Sequence, residues 1–230
     1  GPIRIDIEER LLRWLPATDE AFVVNGLPWL RQNDGAYVRL PRRVEKDVPK
    51  VWNMARHPAG ARVRFRTDSA TLRLRVDHGN DGFPWPVMSA MAMAGIELYE
   101  GPPERSLFRW VATPASAKEP YELAVPVPAD GTMREYTLYL PMYARLASLD
   151  IGLDPEARIE QPSGFRKAGP VVFYGTSFVQ GGCASRGSMN FPAIVGRRLG
   201  VDIVNLGFAG DGQCEPQVAE CMAEIDASCF

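Results

Sequence analysis

Residues 171–212 constrain the fold of this chain more than any other segment, because short apolar runs alternate there with glycine-rich loops. The runs 171–174 and 201–206 are typical of buried strands. Between them, residues 186–200 place apolar side chains at helical spacing and end at a glycine, a common C-terminal cap. A strand, a helix and a second strand in this order predict a parallel, right-handed βαβ unit of an α/β domain.

The loop after the first predicted strand carries Ser177, with Gly175 before it and a glycine pair after it. Open α/β sheets bind ligands at the carboxyl ends of their strands, so the hydroxyl of Ser177 would face a crevice. A serine in this position suits a nucleophile whose own amide helps to bind an oxyanion. Two alternatives stay open from the residues alone: the serine caps the next helix, or the loop holds a phosphate.

A second glycine-rich loop, 207–212, follows the second predicted strand and therefore falls at the same edge of the sheet. Glycine amides can approach a substrate closely because glycine has no Cβ. A serine on one loop and glycine amides on the other are the groups that acyl transfer needs.

Three segments resemble the signatures of one family. Residues 175–186 (GTSFVQGGCASR) and 205–212 (NLGFAGDG) are similar to the first two sequence blocks of the SGNH/GDSL hydrolases. Residues 95–99 (GIELY) resemble the Gly-x-Asp-Leu-Tyr signature of a β-sandwich that precedes the hydrolase domain in one subgroup. The resemblance extends over nearly the whole chain, and the first two blocks are specific only when they occur together.

The departures from the family pattern are local. Glu97 stands in place of the aspartate of the sandwich signature, and Phe178 and Val179 replace the commoner Ile-Thr. In the second block, Ala209 and Asp211 replace Ser and Asn. None of these changes removes the candidate nucleophile or the loop glycine.

The resemblance implies a role for each residue of the site. Ser177 would be the nucleophile, and the amides of Ser177 and Gly210 would hold the oxyanion. Gln180 and Asp211 are expected to border the substrate pocket. No metal and no cofactor is implied. In the family, an Asp-x-x-His motif near the end of the hydrolase domain supplies the base, and an asparagine from a third block completes the oxyanion hole.

No Asp-x-x-His motif occurs in this sequence, whose two histidines are His57 and His78. Both lie far upstream and are expected to be structural or surface residues; the alternative is that one of them reaches Ser177 as its base. A serine without an adjacent base is a poor nucleophile. We therefore expect a chain truncated within the hydrolase domain and nearly inactive by itself, and the opening Gly-Pro is typical of a tag-cleavage remnant.

The first part of the chain has the pattern of an all-β domain. Residues 61–66 and 71–76 alternate between apolar and basic side chains and are predicted to pair as a hairpin through the turn 67–70. Further strands are predicted at 95–100, 106–112, 121–127 and 134–140. Strands at this spacing favour a jelly-roll-like β-sandwich.

A row of arginines lies on the predicted hairpin: Arg62, Arg64, Arg66, Arg73 and Arg75. It could bind a polyanion, but a net charge of −2 and the lack of a basic tail favour a solvated face with carboxylate partners. The five tryptophans could stack on sugar rings, although we expect core positions: Trp14, Trp29, Trp52, Trp85 and Trp110. The methionine-rich segment 83–93 is expected to pack as a loop or short strand.

The polar, proline-containing segment 154–168 is interpreted as a linker. It would separate a sandwich domain, 1–153, from residues 169–230, the first part of a three-layer, flavodoxin-like α/β hydrolase domain. An incomplete sheet would leave an exposed edge, so a homo-oligomer or another association through that edge is expected.

All four cysteines follow residue 182: Cys183, Cys214, Cys221 and Cys229. Without a Cys-x-x-Cys spacing, neither a disulfide framework nor a zinc site is indicated. Reduced thiols favour a cytoplasmic protein; a secreted protein whose leader was removed is the alternative. Cys183 follows the serine loop closely enough to line the pocket, but ranks below Ser177 as a nucleophile.

These observations predict an esterase that hydrolyses a short acyl ester of a carbohydrate or small metabolite through an acyl-enzyme on Ser177. One alternative is an acyltransferase that uses the same serine. The other is a non-catalytic carbohydrate-binding module. The charge balance and the lack of a membrane-length apolar run predict neither a nucleic-acid nor a membrane partner.

Overall fold

The computed structural model describes residues 11–80, 86–112 and 119–230. The strands in these ranges are β1 (Arg13–Pro16), β2 (Val23–Asn25), β3 (Arg62–Thr67), β4 (Leu72–Asp77), β5 (Glu97–Glu100), β6 (Leu107–Val111), β7 (Tyr121–Val125), β8 (Arg134–Tyr139), β9 (Ser148–Leu153), β10 (Ile159–Glu160), β11 (Val171–Gly175) and β12 (Ile203–Gly207). The α-helices are α1 (Pro49–Ala55), α2 (Ala90–Ala94), α3 (Ser177–Gln180), α4 (Phe191–Leu199) and α5 (Pro216–Met222). Short 3-10 helices occur at Arg42–Val44, Pro103–Arg105 and Gly187–Met189.

Strands β1 to β10 form two antiparallel sheets. One has the order β1-β9-β4-β7, and the other has the order β10-β3-β8-β5-β6, with β2 also paired to β3. Both contribute fully buried side chains to one apolar core, among them Leu74 and Ile151 from the first sheet and Phe65 and Leu138 from the second. This arrangement agrees with the predicted β-sandwich. The jelly-roll order of its connections stays a prediction.

The predicted hairpin between residues 61–66 and 71–76 is wrong. Strands form at these positions, but β3 pairs with β8, whereas β4 pairs with β7 and β9 in the other sheet. The intervening turn therefore carries the chain from one sheet to the other. Its amides at Ala70 and Thr71 donate to the carboxylate of Asp154 (2.8 and 3.0 Å). Alternation gives each strand a buried face, but it does not select the strand's partner.

The predicted strand–helix–strand unit is present. β11 and β12 pair in parallel, with Gly175 opposite Gly207 at their carboxyl ends. Between them, α4 is capped by the side chain of Asn190, which accepts a hydrogen bond from the amide of Ala193 (2.9 Å), and it ends at Gly200 in the left-handed conformation (φ +66°). On the other side of β11, Val171 forms a parallel bridge with Cys229. The three-layer architecture stays a prediction.

Residues 29–55 pack against the parallel sheet, although they precede most of the sandwich in the chain. Trp29 and Trp52 share a buried cluster with Val204 and Leu206 of β12 and with Phe208 beyond it. The two parts of the molecule are therefore joined by an apolar core that residues 29–55 supply from one side.

The arginine-bearing face of β3 is covered rather than solvated. Arg62 and Arg64 expose only 4% and 3% of their surface. Arg62 pairs with Asp202, Arg64 pairs with Glu135 (3.0 Å), and the ring of Phe165 lies 4.3 Å from the Arg64 guanidinium. The predicted carboxylate partners are present, but the predicted solvation is wrong for these two arginines because the α/β part packs onto this face.

The two arginines of β4 keep the predicted solvent exposure, as does Arg66 at the end of β3, which pairs with Glu160. Arg73 is half-buried and Arg75 is exposed, and both pair with Glu122 (2.9 and 3.0 Å, respectively). The Arg75 guanidinium also covers the ring of Trp14 at 3.8 Å, and Trp14 packs closely against Gly152. Protein contacts therefore occupy this ring, which had been a candidate for stacking on sugar.

The remaining tryptophans and the methionine-rich segment lie in different environments. Trp29 and Trp52 are buried, Trp110 packs half-buried on the sandwich core, and Trp85 lies outside the described residues. Part of the segment 83–93 also lies outside them. Its end forms α2, capped by Ser89, rather than the expected loop or strand. Buried Met93 packs beside Tyr143 in a small cluster near the start of the α/β part.

Candidate active site

Ser177 lies where β11 ends and the chain turns sharply into α3. Gly175 has φ +155°, and a Cβ there would lie 2.8 Å from Cγ2 of Val179. Thr176 is extended, and Ser177 is the first residue of the helix. Its carbonyl oxygen accepts hydrogen bonds from the amides of Gly181 and Gly182 (2.8 and 2.7 Å). The turn is therefore rigidly hydrogen-bonded on the backbone side of Ser177.

The hydroxyl of Ser177 is available to a ligand. The side chain is half-buried, and no residue in the described ranges forms a hydrogen bond with its oxygen. The helix-cap position belongs to Thr176, whose side chain makes no capping bond. The alternative that Ser177 serves as the helix cap is therefore not supported.

The loop after β12 reaches the same edge of the parallel sheet. The amide of Phe208 donates to the carbonyl oxygen of Gly175 (2.8 Å), which ties this loop to the end of β11. Gly212 has φ +74°, and a Cβ there would overlap the same carbonyl oxygen. Only glycine fits at position 212, because both the backbone angle and the space require it. The serine loop and the glycine loop are thus held side by side.

Gly210 and Asp211 lie at the exposed tip of this loop. Gly210 is exposed with φ +79°, and no atom lies within 4 Å of the position that a Cβ would take. Asp211 is half-buried, and its amide donates to the carbonyl of Phe208 (3.0 Å). The space around Gly210 leaves room for a substrate at the rim. The predicted roles of Gly210 as an oxyanion donor and of Asp211 at the pocket stay predictions.

Gln180 is placed differently from the prediction. Its side chain is fully buried: the amide nitrogen donates to the carbonyl of Met142 (3.1 Å), and the amide oxygen accepts from the backbone of Ala209 (2.9 Å). These bonds connect α3, the sandwich and the glycine loop. Because a fully buried, hydrogen-bonded amide cannot contact substrate, Gln180 is a positioning residue and not part of the pocket wall.

His57 lies behind the serine loop in a buried position. Its Nδ1 is 3.4 Å from the side-chain nitrogen of Gln180, and its ring is tilted against Tyr143 with centroids 6.1 Å apart. Burial and the nearby cations Arg39, Arg56 and Arg145 lower the pKa of His57 to about 3. A histidine with so low a pKa is a weak base, and the side chain that its ring nitrogen contacts is Gln180 rather than Ser177.

His78 is a structural residue of the sandwich. Its Nδ1 lies 2.7 Å from the carbonyl oxygen of Arg145, and its Nε2 lies 3.0 Å from the hydroxyl of Tyr121. Burial lowers the pKa of His78. Both ring nitrogens are engaged, so His78 fits the structural role that the sequence predicts.

Arg39 is a buried hub behind the glycine loop that sequence reasoning missed. Its guanidinium donates to the carbonyls of Met54 (2.6 Å), His57 (2.6 Å), Asn205 (3.0 Å) and Gly207 (2.5 Å). It also lies over the ring of Phe208 at 4.8 Å. Burial lowers the pKa of Arg39 to about 9. Arg39 thereby fixes the end of β12, from which the glycine loop starts.

Asn205, on β12, bridges the two loops of the site. Its side-chain nitrogen donates to the carbonyl of Val179 in α3 (2.7 Å), and its oxygen accepts from the amide of Gly207 (2.9 Å). The side chain is fully buried. Asn205 therefore couples α3 to the start of the glycine loop.

Glu97 connects the sandwich to the segment that follows the serine loop. Its carboxylate accepts hydrogen bonds from the amide (2.7 Å) and the hydroxyl of Ser188, and it pairs with Arg186 (2.9 Å). The hydroxyl of Tyr99, also on β5, lies 2.9 Å from that of Ser188. Burial raises the pKa of Glu97, and the bonds from Ser188 and Arg186 act in the opposite direction.

Close contacts explain why the residue at position 95 of the same signature is a glycine. A Cβ at Gly95 would collide with the carbonyl oxygen of Met91 and lie 3.0 Å from that of Ala112. The signature 95–99 therefore contains a close backbone approach, a buried acceptor and a buried tyrosine. Glu97 and Tyr99 dock the sandwich onto residues 186–188.

The four cysteines are free thiols, and Cys183 is exposed in the turn after α3 with φ +61°. The described residues contain no cluster of three or more His, Cys, Asp or Glu side chains arranged to hold a metal ion. No helix in the same ranges has the length and hydrophobicity that a bilayer-spanning segment requires.

Comparison with known families agrees with this arrangement. Residues 12–159 match the family model described as GxDLY, the N-terminus of SGNH-hydrolase-type esterases. The chain belongs to the SGNH/GDSL hydrolase superfamily. Residues 168–230 of this SGNH hydrolase chain match the GDSL-like lipase/acylhydrolase family. The fold and the family thus agree with the resemblance seen in the sequence. No curated protein matches the chain.

Solved structures show the same architecture. A candidate GDSL-like lipase from Bacteroides ovatus ATCC 8483 superposes with a TM-score of 0.81 at 28% identity, over 94% of this chain and 62% of that protein. The salicylyl-acyltransferase SsfX3 of a tetracycline biosynthetic pathway gives 0.74 at 24% identity, over 94% and 60%. A family two carbohydrate esterase from Cellvibrio japonicus gives 0.52 at 7% identity, over 87% and 53%. The last two likenesses concern the fold alone.

The SGNH hydrolase chain thus spans about three-fifths of the length of the first two of these structures. The comparisons place the chain in a general esterase or acyl-transfer family.

Proposed function

We propose that this chain carries the nucleophile and the oxyanion donors of a serine-dependent acyl-ester hydrolase. The observation that carries the proposal is the parallel register of Gly175 and Gly207, which brings the Ser177 loop and the glycine loop to one sheet edge. Ser177 attacks the ester carbonyl, the alcohol leaves, and water releases the acyl group from the serine oxygen.

The amides of Ser177 and Gly210 are assigned to the developing oxyanion. The exposure of Gly210 and the space around it support this assignment. The buried bonds of Gln180 and Asn205 hold both loops before substrate binds, so little reorganisation is needed in the transition state. Preorganised donors of this kind contribute on the order of a hundredfold or more to the rate.

The base that takes the proton of Ser177 is assigned to a histidine outside these 230 residues. His78 has both ring nitrogens engaged within the sandwich, and buried His57, with a pKa of about 3, contacts Gln180. Neither histidine is therefore suited to general-base catalysis near neutral pH. This assignment makes the activity depend on a polypeptide that supplies this histidine.

The substrate is proposed to be a short acyl ester of a carbohydrate or another polar small metabolite. Thr176 and Gln213 are exposed, and Asp211 is half-buried, so the residues around the two loops are mainly polar. Phe178, next to the nucleophile, is 82% exposed. We assign the polar groups to the alcohol portion and Phe178 to the acyl group.

The test is hydrolysis of a short-chain nitrophenyl ester by a protein that contains these 230 residues together with the proposed histidine. Ser177→Ala is expected to lower kcat/KM by about 10⁴-fold or more. Ser185→Ala removes an exposed serine from the same segment and is expected to leave the rate unchanged. Retained activity in Ser177→Ala would refute the assignment.

The alternatives give different results in two further measurements. An acyltransferase would form a new ester when an alcohol acceptor is added, in preference to the free acid. A non-catalytic carbohydrate-binding module would bind glycan without reacting with a fluorophosphonate, which labels activated serines. The proposal predicts labelling at Ser177 and release of the free acid in water.

A further inference from the structure

A small cavity lies between β3 of the sandwich and α4 of the hydrolase part. Its volume is about 20 Å³, and a cavity of about 10–15 Å³ by this measure already holds one water-sized species. The side chains that line it include Arg62, Arg64, Ser106, Thr137, Phe165 and Arg197. This cavity is separate from the serine and glycine loops.

Three arginines around this cavity have buried nitrogens that lack an acceptor. The atoms are Nε of Arg62, Nε of Arg64 and Nη1 of Arg197, and none finds a hydrogen-bond partner among the described residues. Arg62 and Arg64 are both more than nine-tenths buried. A buried donor on a charged group is costly when unpaired. That three of them belong to the lining of one cavity indicates that an acceptor binds there.

The charges around the cavity do not balance. Arg62 pairs with Asp202, and Arg64 pairs with Glu135. Arg197 forms no ion pair within the described part of the chain; its guanidinium lies over the rings of Tyr99 (4.7 Å) and Tyr139 (5.3 Å). Three guanidinium groups against two carboxylates leave one positive charge. Burial also lowers the pKa of Arg64, as expected for a cation with incomplete compensation.

We propose that this cavity binds one small monovalent anion, with chloride as the physiological occupant. Chloride is close to water in size, accepts several N–H hydrogen bonds at once and carries the single negative charge that the lining needs. Water would satisfy the donors but leave the charge, and an oxyanion with two negative charges would exceed the single positive charge of the lining. The anion joins arginines of β3 to an arginine of α4, and so stabilises the contact between the sandwich and the hydrolase part.

The first test compares thermal unfolding of the chain in sodium chloride and in sodium gluconate at equal ionic strength. Gluconate is too large for the cavity. The two salts therefore screen the protein's charges equally, and only chloride can bind. Chloride is expected to raise the unfolding midpoint saturably, by about 2–4 °C at several times its dissociation constant. Arg197→Gln is expected to lose this saturable response. Arg198→Gln removes the same charge from an exposed neighbour on α4 and is expected to keep it.

The second test needs no variant: a crystal of the unaltered protein is soaked in bromide. An anomalous peak in contact with Arg62, Arg64 and Arg197 is expected. Equal midpoints in chloride and gluconate, an unchanged response in Arg197→Gln, or a bromide-soaked crystal with only water in the cavity would each overturn the proposal.

Discussion

The carboxylate of Glu97, on strand β5 of the sandwich, accepts hydrogen bonds from both the amide and the hydroxyl of Ser188, which follows the serine loop. The same carboxylate pairs with Arg186. The acidic residue of the GxDLY-type signature therefore holds the hydrolase part from outside. In physical terms, the sandwich supplies a buried carboxylate to three donors of this segment: the amide and hydroxyl of Ser188 and the guanidinium of Arg186.

Glu97→Gln tests this contact. The amide keeps the shape but loses the charge that Arg186 faces, so we expect a loss of about 1–3 kcal/mol in the free energy of unfolding, measured in urea. Glu160→Gln is the control, because Glu160 forms an exposed pair with Arg66 and such pairs contribute at most about 1 kcal/mol. Equal effects of the two substitutions would contradict the docking role of Glu97.

Arg39→Met tests the hub behind the glycine loop. The substitution keeps an apolar stem but leaves four backbone carbonyls without their donor. We expect a loss of about 3–5 kcal/mol in unfolding free energy. Arg42→Met changes an exposed arginine nearby and is expected to stay within about 0.5 kcal/mol. An unchanged unfolding free energy in Arg39→Met would mean that the four carbonyls find other donors.

The glycine loop offers a test in which steric overlap is separated from backbone strain. Gly212 (φ +74°) and Gly131 (φ +69°) have similar backbone angles, but a Cβ overlaps the carbonyl of Gly175 only at position 212. Gly131→Ala is expected to cost about 1 kcal/mol. Gly212→Ala is expected to cost at least about 2 kcal/mol more and to slow fluorophosphonate labelling of Ser177. If the two variants unfold alike, the packing of this loop on β11 is not as described.

Neutral His57 gives a pH dependence of stability. Its pKa is about 3 when folded and 6.5 when unfolded, so below pH 6.5 only the unfolded state takes up the proton. The stabilisation is therefore complete above pH 6.5 and is lost as the pH falls toward 3. Between pH 7 and 4.5 we expect His57 to account for about 2–3 kcal/mol of this loss. His57→Asn should flatten the dependence in urea titrations; parallel curves for the two proteins would argue against a buried neutral imidazole.

Local signals predicted the elements that carry the candidate site. The apolar run before Gly175, the helical spacing up to Gly200 and the glycines of 207–212 are all short-range patterns, and the parallel unit that they predict is present. Two of the three segments that carry the family resemblance, 175–186 and 205–212, lie in this part of the chain.

Long-range contacts were not predictable in this way. The alternation in β3 and β4 described their faces correctly but not their partners, since strand pairing is non-local. Arg62 and Arg64 of β3 have the polarity of a wet face, yet another part of the chain covers them. Gln180 has the polarity of a pocket residue, and its burial depends on Met142 and Ala209, both remote in sequence.

The most direct test of the central claim is a crystal structure, after reaction with a fluorophosphonate, of a protein that contains these residues together with the proposed histidine. The account predicts phosphorus bonded to the Oγ of Ser177, with the phosphonyl oxygen about 2.7–3.1 Å from the amide nitrogens of Ser177 and Gly210. An adduct on another residue, or a phosphonyl oxygen turned away from both amides, would contradict it.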